Sequence, residues 1–385
     1  MPASVQSAYP GQEAGVVQPQ TTTEAPGGPF VRYANEGNFR EFDLFGQGFG
    51  SIVNPPLVAI PGYLRALRLR FNATGGVNGT TTVATNADAP FNVIQNLNFT
   101  DAFGTVLDNL DGFSLKLWDK YSGGNYMWAY SDPVALPSYS APSVGSSGTG
   151  DFGFSVQVPL EFAKGYGCIS MANASILPKL LINLNGASQV YSTAPGTLPT
   201  IEVRCDAKMY WLPQNPTEPP GLGSTRQVVL QVANPTIGSG SSQLVTFPRL
   251  GGYIDTFILI LRDSTNARID AWPSRFVFWV DGIPMINIAT SDLEDDMASQ
   301  FQLNDSVSGA GRETGVLVLT RKTALGQVVF GLFDTLETTL STNPGTLLAV
   351  EGSPWGTVAN APATLNILAG QIVPTGKLLQ GLPEI

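Results

Sequence analysis

The 385-residue sequence contains no histidine. That absence removes the Ser-His-Asp triad, Cys-His nucleophile pairs, imidazole-held zinc and the side chain that titrates nearest neutrality. Cysteine is almost as scarce, with only Cys168 and Cys205, too few for a zinc cluster or a disulfide scaffold. Two buried thiols in a reducing compartment are expected, with one disulfide between them as the alternative. Charge is thin as well, at 13% of residues against about 25% in ordinary soluble domains. Much of the surface must then be neutral polar or covered by other chains.

No run reaches the roughly 18 apolar residues of a membrane span. The N-terminus lacks the basic-then-apolar order of a signal peptide, and its second residue is Pro, where myristoylation needs Gly. A chain that stays inside the cell making it is expected. There is also no GxxxxGK[ST], no GxGxxG opening a helix, no GxSxG and no CxxC. No catalytic, cofactor-binding or metal residue can be assigned, and the chain does not read as an enzyme.

Acids outnumber bases 30 to 20, for a net charge of −10. Sequence-specific nucleic-acid binding, which needs clustered Lys and Arg, is therefore not expected. The stretch GYLRALRLRF, Gly62 to Phe71, is the one run that hints otherwise, with three arginines in a strand-like pattern.

What is abundant is glycine, at 42 residues, and proline, at 29. They punctuate short apolar runs such as LRALRLRF, FNVIQNLNF, FSVQVPLEF, KLLINLN, IEVRCDAKMYWL, QVVLQV, DTFILILR, RFVFWV, GVLVLT, QVVFGLF and ATLNILAG. The length and alternation of these runs are those of strands. Only the segments around Gly112–Tyr121 and Ser291–Phe301 suit helices, and both are short. An all-β architecture of sandwiches or barrels follows.

Residues 1–30, rich in Gln, Pro, Thr and Gly, read as a flexible N-terminal arm. The four prolines of PQNPTEPPGLG mark a linker. The sequence divides into a first domain at 31–213, a linker at 214–226, a second domain at 227–370 and a tail at 371–385.

The two domains repeat one another. GYLRALRLRF at 62 has its counterpart in GYIDTFILIL, 190 residues later, where Ile258 and Ile260 take the places of Arg68 and Arg70. FTDAFGTVLD at 99 corresponds to WVDGIPMINI, 180 residues on, each an apolar strand, an Asp-led turn and a second strand. The two helical segments keep the same spacing. In the first copy Leu67, Leu69 and Phe71 share one strand face and Arg68 and Arg70 the other. The arginines are read as exposed or interface-facing, meeting carboxylates or carbonyls of a neighbour.

Other candidate features have plainer readings. Asp292, Glu294, Asp295 and Asp296 in SDLEDDMAS could form a carboxylate pair or a weak cation site. At a helix start they are better explained by the helix dipole and solvation. Sequons begin at Asn72, Asn78, Asn98, Asn173 and Asn304, and chance explains them in an Asn- and Thr-rich chain. Trp118, Trp128, Trp211, Trp272, Trp279 and Trp355 are scattered over both halves, which suits cores and subunit interfaces better than a ligand-stacking platform.

The segments FSVQVPLEFAKGYGCISMANASILPKLLINLN (154–185), NVIQNLNFTDAFGTVLD with the helix after it (92–121) and IEVRCDAKMYWLP (201–213) resemble corresponding passages of double jelly-roll major capsid proteins. These are the coat proteins of the tectivirus type, from tailless icosahedral bacteriophages with an internal membrane, in the lineage of adenovirus hexon. The resemblance implies two tandem eight-stranded jelly rolls per subunit with short helices in loops. It also implies pseudo-hexagonal homotrimers, trimer-to-trimer contacts in an icosahedral shell, minor capsid or penton partners and an underlying viral membrane, in a virion protein made in the host cytoplasm. The other class of function compatible with the composition is a carbohydrate-binding or adhesive β-sandwich at a surface or fibre. A cupin-like jelly-roll enzyme would need metal-binding histidines, which are absent.

Overall fold

The computed structural model describes residue 30 and residues 34–121, 133–163, 165–211, 222–233, 243–247, 249–301, 303, 311–320, 340–352, 355 and 362–374. The arm at 1–29, the prolines of the linker, QVVFGLF and the last residues of the tail lie outside them. Phe30, the last residue assigned to the arm, is buried between the rings of Tyr63 and Tyr210.

The first half holds β1 (Asn35–Gln47), β2 (Ile52–Val53), β3 (Gly62–Thr74), β4 (Ala84–Thr85), β5 (Ile94–Thr100), β6 (Val106–Leu110), β7 (Phe152–Pro159), β8 (Ile169–Ser170), β9 (Lys179–Leu184), β10 (Tyr191–Thr193) and β11 (Thr200–Trp211). The second holds β12 (Thr225–Ala233), β13 (Gln243–Thr246), β14 (Gly252–Arg262), β15 (Arg275–Val280), β16 (Ile283–Ala289), β17 (Val316–Thr320), β18 (Leu340–Thr342), β19 (Leu348–Gly352) and β20 (Thr364–Val373). β12 thus opens inside the stretch assigned to the linker, and β20 runs three residues past the assigned end of the second domain. Two principal helices, Gly112–Tyr121 and Thr290–Phe301, follow β6 and β16.

Each half builds two facing sheets in the same order. In the first these are β1-β11-β3-β7 and β6-β5-β9-β2; in the second, β17-β14-β20-β12 and β13-β19-β15-β16. Taking the eight main strands of either half in chain order, one sheet runs first, eighth, third, sixth and the other second, seventh, fourth, fifth. That order is the jelly roll. GYLRALRLRF and GYIDTFILIL are the third strands, and the Asp-led turns join the fourth to the fifth. In the second copy the turn is tight, with Asp281 at φ 49° and Gly282 at φ 80°, the left-handed pair that a two-residue hairpin requires.

The halves are joined edge to edge. β6 lies parallel to β12, with Val228 opposite Asp108, so that eight strands from both halves form one continuous path of neighbours. The first core cluster extends across this joint to Val228, Ile258, Ile260, Val316, Val318 and Leu368 of the second half. A second cluster, including Phe257, Phe276, Phe278 and Trp355, fills the space between the two sheets of the second jelly roll.

Candidate assembly surfaces

The helix Gly112–Tyr121 sits in the joint, with all ten of its residues buried. It begins with a cap from Asp111, whose carboxylate accepts from the Ser114 N–H at 2.9 Å. Its Phe113, Leu117, Trp118 and Tyr121 share a cluster with Ile258 and Ile260 of β14. These two isoleucines occupy the outer face of their sheet, while Phe257, Leu259 and Leu261 point into the second core. The central run of β14 is apolar on both faces because both faces are covered.

Most charged groups in this joint are buried and paired. Arg226 of β12 meets Asp255 of β14 at 2.5 Å, with side chains 0% and 2% exposed. The Arg226 guanidinium lies 4.4 Å from the centre of the Trp118 ring. Gly370 makes room for that indole, since a Cβ there would stand 2.4 Å from the Trp118 ring. Asp108 is wholly buried beside them, and burial pushes its carboxyl up to about 7 against the pull of Arg226. Lys116 and Lys120 reach Glu313 at 2.7 and 2.9 Å, and the Tyr121 hydroxyl donates to the same carboxylate. Burial opposes ionisation of Glu313, but the two ammonium groups outweigh it and hold the carboxyl down to about 2. Asp88 of the first half binds Arg262 and Arg268 of the second, each at 2.7 Å.

One of these contacts has a counterpart 190 residues earlier. Arg65 of β3 pairs with Glu36 of β1 at 2.8 Å, at the positions equivalent to Asp255 and Arg226 but with the charges exchanged. Both third strands have a register irregularity there, Arg65 and Asp255 being the residues stepped over. The environments differ. Glu36 is 57% exposed, and Arg65 gains a second, buried partner in Glu161 at 2.8 Å. Glu161 also accepts from the Tyr210 hydroxyl at 2.7 Å.

The outer face of the first sheet is polar. Arg68 is half-buried and Arg70 exposed, opposite Asp206 and Arg204 of β11 on one side and Gln157 and Ser155 of β7 on the other. Leu67, Leu69 and Phe71 point inward and are fully buried. Arg40 pairs with Asp206 and Asp43, and Arg204 with Glu202 and Asp43. Lys208 donates to Gln157; burial lowers its pKa, and Arg68 lowers it further.

The remaining candidates are dispersed. The helix Thr290–Phe301 buries only Thr290, Leu293 and Met297. Asp292, Asp295 and Asp296 are exposed, and Glu294 lies 3.2 Å from Arg312. Among the described residues no His, Cys, Asp or Glu side chains group to hold a metal ion, and no helix is long and apolar enough to cross a membrane. Cys168 and Cys205 are buried and free, and burial pushes both thiols up. Trp118 is in the joint, Trp272 and Trp355 pair at 6.1 Å, Trp279 donates to Glu351, Trp211 ends β11, 38% exposed, and Trp128 lies outside the described residues. Of the sequon asparagines, Asn72 donates to Glu202 and Asn78 to the Ser146 carbonyl, and Asn304 is outside the described residues. Sequence reasoning missed Asp108, Arg226, Asp255 and Glu313. The one available signal was the charge exchange between Glu36/Arg65 and Arg226/Asp255 at a constant offset of 190.

No protein-family model and no curated relative matches the sequence. Solved structures do match. The STIV MCP superposes with a TM-score of 0.63 at 13% identity, covering 90% of this chain and 100% of that one. The PBCV-1 virus capsid gives 0.58 at 15% identity, over 90% and 96% of the two chains. With both the strand order and these superpositions in hand, the architecture is decided. The chain is a double jelly roll. The major capsid protein P2 from Bacteriophage PM2 matches this double jelly roll over 89% of its length and 99% of P2, with a TM-score of 0.50 at 10% identity.

Proposed function

We propose that this double jelly roll is a structural major capsid protein that forms pseudo-hexagonal homotrimers and assembles into an icosahedral virion shell. The observation carrying this reading is the pair of equivalent jelly rolls set edge to edge in one subunit, over 96% and 99% of two proteins named as capsid components. A chain that already packs one jelly roll against the next holds, in a single subunit, the contact a shell repeats. Minor capsid or penton proteins and a viral membrane beneath the shell are the further partners, and synthesis is in the host cytoplasm.

Light scattering on the purified protein tests this. The expected species has about three times the 40.8 kDa mass of the chain, with a hexagonal outline in negative-stain images. A strictly monomeric protein at micromolar concentration that binds glycans saturably on an array would replace this reading with the adhesive one.

A further inference from the structure

We propose that the outer face of the first jelly roll, carrying Arg68, Arg70 and Lys208, receives the β16 edge and the helix Thr290–Phe301 of a second copy of this chain. The inference rests on the self-assembly reading and adds to it which two surfaces meet.

The internal joint is the template. There the fifth strand of the first copy, β6, lies along the first strand of the second, β12. The helix after β6 then covers the outer face of the sheet that β12 begins. The same parts recur elsewhere in the subunit, where among the described residues no strand pairs with their outer edges. β1, the first strand of the first copy, ends one sheet, and β16, the fifth strand of the second, ends another. Residues 283–285 and 287 of β16 are exposed, Ile283 by 62% and Met285 by 45%. An open strand edge with exposed apolar side chains is a surface that proteins ordinarily cover. Each subunit thus offers one edge of each kind, which is the requirement for a head-to-tail contact that repeats and closes.

Charge selects the occupant. On the outer face of the first sheet, Asp43, Glu202 and Asp206 are engaged by Arg40 and Arg204. Arg68 and Arg70 add positive charge to this face beyond those pairs. The helix that would lie there by analogy with Gly112–Tyr121 exposes Asp292, Asp295 and Asp296. Where the internal joint matches isoleucine to an apolar helix, the contact between copies matches arginine to an acidic one. A contact formed after the subunit has folded must leave both faces soluble beforehand, and charge does that.

The test is a charge swap in the full chain, read by light scattering, with circular dichroism melting as the check on folding. R68E/R70E and D295R/D296R are each expected to lose the assembled species in favour of the 40.8 kDa chain. The four substitutions together are expected to restore it. Reversals that leave assembly unchanged, or a combined variant that stays monomeric while folded, overturn the proposal. Should a variant fail to fold, carbodiimide coupling of mixed isotope-labelled and unlabelled wild-type protein decides. An intermolecular link from Lys208 to Asp295 or Asp296 is expected, and intermolecular links elsewhere without it overturn the assignment. Wild-type protein that is itself monomeric sinks the self-assembly reading, whereas an intact oligomer with other contacts sinks only this one.

Discussion

The two third strands of the molecule, β3 and β14, have the same place in the fold and opposite outer faces. Arg68 and Arg70 stand where Ile258 and Ile260 stand. Across the sheet the contrast continues, with Gln157 and Asp206 beside Arg68 but Val318 and Leu368 beside Ile258. Inward-facing positions do not diverge in this way, since Leu67, Leu69 and Phe71 match Phe257, Leu259 and Leu261. The jelly-roll interior imposes one requirement on both copies. The outer face answers only to what covers it, and among the described residues it is the second copy's that a helix covers.

Exchanging those outer faces gives the largest expected effect. I258R/I260R places two cations against the buried helix Gly112–Tyr121, each costing several kcal/mol without a partner. That exceeds much of the ~5–15 kcal/mol stability of a typical domain, so soluble, folded protein should be lost on expression. Trp118→Ala, which empties the centre of the joint and uncovers Arg226, should destabilise by about 3 to 5 kcal/mol in denaturant titration.

The joint also has a pH signature. With its carboxyl pushed by burial from the ordinary 3.8 up to about 7, Asp108 holds, between about pH 4 and pH 7, a proton that the unfolded chain releases. Its contribution therefore favours the fold at low pH and is progressively lost as pH rises from about 4 to about 7. Asp108→Asn should stabilise the protein more at pH 8 than below about pH 4, by up to about 4 kcal/mol, read as melting midpoints across that range. Equal shifts at both ends would show that the carboxyl is ionised throughout.

The smallest effect on stability belongs to the uncovered face. R68A/R70A should change unfolding free energy by less than about 1 kcal/mol, as exposed charges do, while weakening association between subunits. Outright misfolding would place those side chains inside.

Much of this comparison was legible in the residues. The offset of GYLRALRLRF from GYIDTFILIL, the Asp-led turns and the helix Gly112–Tyr121 all stand where periodicity and turn chemistry put them. The joint was not legible. Asp108, Arg226 and Asp255 are polar residues in strands, a pattern that ordinarily means an outward, hydrated position. The doubly apolar run FILIL was the sign that a second surface lay on that sheet, but not which one.

The sequence alone determined the strands, their alternation, the repeat and the absence of histidine-based chemistry, because these follow from local propensity and residue identity. Tertiary structure alone decided which outer face is buried, which of two equivalent ion pairs loses its water, and which strand of each half joins the other half. Those outcomes depend on the approach of segments more than a hundred residues apart, and a strand carries the same alternating pattern whether its outer face meets solvent, a helix or another subunit.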